Sequence, residues 1–120
     1  MGEIPCIEAG LSAERKVIVE EKHTVSHTGL PVLSTPMMIS LMEVVANDLV
    51  QPLLPPGFVT VGYEVHVKHK APARLGAHVT VAAKLIEADG RKLLFEVRLL
   101  HAEKVIGEGL HRRTIIRAAG

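Results

Sequence analysis

Apolar residues in this chain follow two periods. From Met38 to Val50 they fall on two stripes, Met38, Leu41, Met42, Val45 and Leu49 on one and Ile39, Ala46 and Val50 on the other. The stretch MMISLMEVVANDLV is therefore apolar almost all round at helical spacing. Ser34 or Thr35 can serve as N-cap, and Pro36 suits the first turn, where its missing amide hydrogen costs nothing. The predicted helix runs from Pro36 to Val50 and stops in QPLLPPG, because Pro52, Pro55 and Pro56 cannot continue helical hydrogen bonding. Its wide apolar surface demands burial on most sides.

The second period is that of a strand. Phe58 to Ala71 alternates, placing Val59, Val61, Tyr63, Val65, Val67 and His69 on one face, predicted to be buried, and Thr60, Gly62, Glu64, His66 and Lys68 on the other. Ala77 to Ala88 and Lys92 to His101 alternate too, joined through the turn dipeptide Asp89-Gly90. Ala102-Glu103-Lys104 predicts a further turn before a last strand, Val105 to Arg117. Upstream of the helix, KVIVEEKHTV within Arg15 to Val25 reads as a first strand with Val17 and Val19 on one face, and Gly29 and Pro31 mark His27 to Leu33 as a loop. One strand, one apolar helix and four strands in meander predict an α+β fold, a single antiparallel sheet wrapped around a buried helix.

A chain of 120 residues with 48% apolar content supports one core, so residues 1–120 are read as one domain without repeats. The net charge of +1 is scattered, with no basic stripe for a phosphate backbone, and Tyr63, Phe58 and Phe95 are too few for base stacking. Nucleic acid is not an expected partner. No apolar run approaches the roughly 20 residues that span a bilayer, and MGEIPCIEAG lacks a basic region followed by an apolar one. Cys6 is alone and reads as a bystander thiol, so a soluble, cytoplasmic protein without membrane contact is expected.

Three residues stand out chemically. Glu43 sits between Met42 and Val44 in the apolar helix, where burial would make its charge costly unless paired. It either carries chemistry, or lies on a narrow solvent strip, or pairs with a lysine across a dimer contact. His69 continues the face predicted to pack on the helix, where it can meet Glu43, and an imidazole beside a carboxylate can act as general base or orient a water. The alternative is a core histidine with its nitrogens satisfied by backbone. Thr35 brings a hydroxyl to the helix N-terminus, where free amides favour developing negative charge, or else is a plain N-cap. Eight residues at 1.5 Å rise separate Thr35 from Glu43 by roughly 12 Å, so within one chain they cannot touch. Either a substrate lies between them, or the site combines groups from two subunits. His66 and His69 have opposite strand parity, and His23 with His27 lacks a third ligand, so no metal site is expected.

The run LSTPMMISLMEVVA, followed by VTVGYEVHVKHKAPARLGAHVTVAAKLIEADGRKLLFEVRLLHAEKVIGEGLHRRTII, resembles the fluoroacetyl-CoA thioesterase family of hot dog enzymes over Leu33 to Ile116, about two-thirds of the chain. The family pattern of a threonine before the helix, a glutamate eight residues later and a histidine twenty-six after that is reproduced by Thr35, Glu43 and His69. The resemblance implies hydrolysis of a short or medium acyl-CoA thioester. Glu43 would be nucleophile or general base, His69 would assist proton transfer, and Thr35 would position the thioester. It also implies that Gly62 lies beside the substrate, that Arg113 on the last strand helps bind it, and that subunits join edge to edge as homodimers, which could pair again into a dimer of dimers. Coenzyme A enters only as part of the substrate, with no separate cofactor.

Two departures bear on substrate. The family's longer, phenylalanine-containing lid is replaced by the short, aromatic-free HTVSHTGLPVLS, and Pro36 replaces a small flexible residue after the threonine. Fluoroacetyl selectivity is therefore not expected. The rival reading is a non-catalytic acyl-CoA binding or sensing protein that keeps the pocket but not turnover, and a third is a purely structural dimer module.

Overall fold

The computed structural model describes residues 7–27 and 29–119; Cys6 lies outside them. Strand β1 (Ser12–Ile18) leads into helix α1 (Thr35–Val50) through two short strands, β2 (Thr24–Val25) and β3 (Val32–Leu33), paired antiparallel with each other. Four longer strands follow: β4 (Phe58–His69), β5 (His78–Asp89), β6 (Lys92–His101) and β7 (Lys104–Arg117). One antiparallel five-stranded sheet in the order β1-β5-β6-β7-β4 packs against α1, as the predicted α+β architecture requires.

The core is the alternation of β5 and β6 read from the sequence. Val79, Val81, Ala83 and Leu85 on β5, and Leu93, Phe95, Val97 and Leu99 on β6, meet Met38, Met42, Val45, Ala46 and Val50 of the helix. Each large apolar side chain fully removed from water there contributes about 1.5–3 kcal/mol before entropy is counted. The helix is held at both ends. Ser34 is the N-cap, its hydroxyl accepting from the Met37 amide at 3.2 Å, and Gln51 Nε2 donates to the Phe58 carbonyl at 3.0 Å where β4 begins. Because Ser34 takes the capping role, the Thr35 hydroxyl is left available.

Three expectations are corrected. The predicted first strand, Arg15 to Val25, is broken after Ile18: Glu21–His23 form a 3-10 turn in which the Glu20 amide donates to His23 Nδ1 at 2.9 Å, and only then does β2 begin. The last four strands are not a simple meander, because β4 pairs with β7 and lies at the sheet edge, while β1 pairs with β5 at the other edge. The predicted buried face of β4 is correct only in part. The register against β7 shifts between Gly62 and Glu64, so Tyr63 is bulged. Ahead of the bulge, Phe58 and Thr60 are buried while Val61 and Tyr63 are 40% and 48% exposed. Beyond it, Val65 and His69 stand opposite His111 and Gly107, and the odd-numbered residues share the face of buried His111.

Candidate active site

Gly62, paired with Arg113 at the last regular position before the bulge, lies under the helix. Thr35, Ile39, Glu43 and Asn47 form an i, i+4 ridge along α1, and its polar members meet the sheet at two places. At the helix N-terminus, Thr35 Oγ1 lies 2.8 Å from His69 Nδ1. Further along, Glu43 Oε2 lies 3.9 Å from both His111 Nε2 and Arg113 Nη1. A Cβ on Gly62 would stand 2.8 Å from Glu43 Oε2 and 2.8 Å from His111 Cε1, so only glycine leaves the carboxylate its position.

Arg113 is buried, 8% exposed, on the last strand. Its Nε donates to Thr60 Oγ1 at 2.7 Å, its Nη2 donates to the Thr60 carbonyl at 3.0 Å, and its Nη1 meets His111 Nε2 at 3.1 Å. Thr60 Oγ1 in turn donates to Asn47 Oδ1 at 2.6 Å. Burial pushes the guanidinium below its ordinary value and the Glu43 charge pulls it back up; a group starting so far above neutrality stays charged. Glu43 itself is not deeply embedded, its side chain being 40% exposed. It sits where the buried stripe of Met42 and Val45 meets the exposed stripe of Pro36, Ser40, Val44 and Asp48.

The expected meeting of His69 with Glu43 is therefore not what the fold brings about. His69 pairs with Thr35, Glu43 faces His111 and Arg113, and along α1 the two groups stand about 12 Å apart by helical rise. The Thr35–His69 pair opens on a cavity of ≈ 510 Å³ walled by Val25, Val32 and Pro36, with His27 and Lys70 at its polar side. His69 Nε2 is, among the described residues, the one buried side-chain nitrogen or oxygen without a hydrogen-bond partner. Burial lowers the His69 pKa and the nearby Ala71 backbone opposes this, so the ring is neutral at pH 7.

His111, only 1% exposed, was missed in the sequence. The available signal was parity, since His111, Arg113 and Ile115 alternate along β7 and all three are buried. Burial lowers its pKa above all; the bond to the Glu64 backbone raises it and Arg113 lowers it further. With both histidines lowered, the unfolded chain binds more protons than the folded one just below their ordinary value of about 6.5, so stability rises with pH there. The melting temperature is expected to hold above about pH 6.5 and to fall as the pH drops below it toward the two lowered values. A thermal melt series from pH 8 to pH 5 that is flat throughout would refute this.

Among the described residues no cluster of three metal-ligating groups occurs, and no helix is long and apolar enough to cross a membrane. What remains is a carboxyl group beside a glycine-made gap, a buried cation behind it, and a hydroxyl–imidazole pair at a helix N-terminus. That equipment suits attack on an activated acyl carbon.

The fold is that of the hot dog proteins. A hot-dog-like protein from Thermanaerovibrio acidaminovorans superposes with a TM-score of 0.84 at 24% identity, over 92% of this chain and 84% of that one, a likeness of fold alone. The chain belongs to the fluoroacetyl-CoA-specific thioesterase family, whose model matches residues 14–119. A fluoroacetyl-CoA thioesterase from Streptantibioticus cattleyicolor is 35% identical over 85 residues, which cover 71% of this chain and 61% of that protein's length. A solved structure of the fluoroacetyl-CoA thioesterase FlK superposes with a TM-score of 0.86 at 29% identity, covering 94% of this chain and 90% of that one.

Proposed function

We propose that this chain is an acyl-CoA thioesterase that hydrolyses a short or medium acyl-CoA thioester to the free acid and coenzyme A. The observation that carries this reading is the Glu43 carboxylate, held beside Gly62 and in the field of buried Arg113 without a hydrogen bond to either. Glu43 supplies the oxygen nucleophile, attacking the thioester carbon itself or taking a proton from a water that attacks. The carbon–sulfur bond breaks, coenzyme A leaves as thiolate and takes up the proton, and one water is consumed. The Thr35 hydroxyl, at the positive end of α1, faces the developing oxyanion, and neutral His69 exchanges a proton with it. Family membership supports the thioester class. Thr24–Val25 and Val32–Leu33 pair here as β2 and β3, and the sequence from His23 to Ser34 carries no Phe, Tyr or Trp, which supports an acyl group other than fluoroacetyl.

The same reading makes the working unit a homodimer. Strand β4 is a sheet edge and carries exposed Val61 and Tyr63, an edge suited to pairing with a second copy. Thr35 and His69 of one protomer would then complete the Glu43 pocket of its partner. A panel of acyl-CoA chain lengths assayed with a thiol reagent tests the activity: tight binding without thiol release at any length would replace the enzyme by a non-catalytic binding protein. Complementation tests the shared site. When inactive Thr35→Ala and Glu43→Ala proteins are unfolded together and refolded, half the dimers are mixed and one of their two sites is intact, so about a quarter of wild-type activity returns. No recovery from a mixture shown to contain mixed dimers would place each site within one chain.

A further inference from the structure

Arg113 can only donate hydrogen bonds and a carbonyl can only accept them, which settles the His111 ring from both sides. Its Nε2 accepts from Arg113 Nη1 at 3.1 Å, so its proton is on Nδ1, which donates to the Glu64 carbonyl at 3.0 Å. The ring stacks on Phe95 with centroids 6.3 Å apart and has little room to turn. Glu43 from α1, Arg113 from β7 and the Glu64 carbonyl from β4 are the charged or polar groups around it. Glu43 Oε2 is equidistant, at 3.9 Å, from His111 Nε2 and Arg113 Nη1. A carboxylate and a guanidinium so placed would ordinarily close to a contact pair. Here Nη1, His111 Nε2 and Glu43 Oε2 form a close triangle, so imidazole and carboxylate lie on one side of Nη1, and of its two hydrogens the one on that side is already given to the imidazole.

We propose that His111 is a positioning residue that accepts the Arg113 Nη1 hydrogen and so keeps the guanidinium from closing onto Glu43. The carboxylate keeps the electrostatic support of the cation while its oxygens stay free for substrate. This rests on Glu43 being the reacting carboxylate. It explains why a histidine is buried beside an arginine, where a protonated ring would be a second cation with no acceptor to offer. Burial, which lowers the ring's pKa, keeps it in the accepting form.

Two substitutions separate the two bonds of the ring. H111Q puts an acceptor oxygen where Nε2 stands and forgoes the Glu64 bond; H111N keeps a donor where Nδ1 stands and forgoes the acceptor. H111N is expected to lose about tenfold in kcat, the worth of one hydrogen bond, with KM little changed, and H111Q to recover most of that loss. Crystal structures of both variants give a readout that needs no turnover. Glu43 and Arg113 should be in direct hydrogen-bond contact in H111N and remain apart in H111Q. If the pair stays apart in H111N, or if H111N matches or exceeds H111Q in kcat, the proposal is overturned. If the wild-type protein hydrolyses no thioester, the reading of Glu43 as reacting group fails, and the two crystal structures still decide whether His111 holds the cation off.

Discussion

Replacing Glu43 with glutamine is expected to lower kcat on the best acyl-CoA substrate by about 10³-fold, within the range set by loss of a positioned base or nucleophile. The amide matches the carboxylate in shape, so the gap beside Gly62 stays filled, and it removes both the charge and the oxygen nucleophile together. Stability should hardly move. Glu43 is half exposed and makes no hydrogen bond among the described residues, and its attraction to Arg113 acts across 3.9 Å in a partly solvated setting, where such pairs contribute little. Arg113 keeps its bonds to Thr60 and His111 when the carboxylate is gone. The informative combination is therefore a large loss of turnover with an unchanged melting temperature. A Glu43→Gln protein within a few-fold of wild-type kcat would show that the nucleophile comes from elsewhere.

Much of this arrangement was legible before any coordinates, and the reason is locality. The helix ends were readable because capping and proline act within a few residues, and the β5 and β6 cores because their alternation is regular from Val79 to Leu85 and from Phe95 to Leu99, the register shifting only nearer the Gly90 turn, between Leu85 and Glu87. Thr35, Glu43 and His69 were singled out by their positions together with the family likeness, and Gly62 and Arg113 by the likeness alone. What escaped depends on contacts between distant segments. Val59, Val61, Tyr63, Val65 and Val67 form an unbroken apolar alternation, and only the pairing with β7 reveals that Tyr63 is bulged and that the inward side changes there. His69 and Glu43 were expected to meet because both lay on apolar faces; the way α1 lies across the sheet sends one to Thr35 and the other to His111. His111 itself is hidden in the basic run His111-Arg112-Arg113, and its partner at Glu64 lies 47 residues away. The bulge has a functional consequence as well: Gly62 ahead of it and His69 beyond it share the face of Arg113 and His111, which an unbroken alternation would not allow for an even and an odd position.

Gly109→Ala is expected to be the most damaging single-atom-group change in the sheet, costing about 3 kcal/mol, on the order of 10 °C in melting temperature. Its added Cβ would collide with the His66 carbonyl oxygen and stand 2.6 Å from the Val67 Cα, both backbone atoms of the neighbouring strand. At Gly107 the obstacle is different. There the Cβ would meet the Met38 thioether, a flexible side chain that can turn aside, so Gly107→Ala should cost less even though that site is buried. Strand β4 can escape the Gly109 clash only by separating from β7, its sole partner in the sheet. Separation would carry off Thr60, Gly62 and His69 together, removing the support of Arg113, the gap beside Glu43 and the partner of Thr35. Loss of stability and loss of turnover should therefore come together in Gly109→Ala, with hydrogen exchange quickened first in the β4 and β7 amides that pair there. An alanine variant that melts with wild type and keeps β4 protected would mean that the two strands can part at this point without cost.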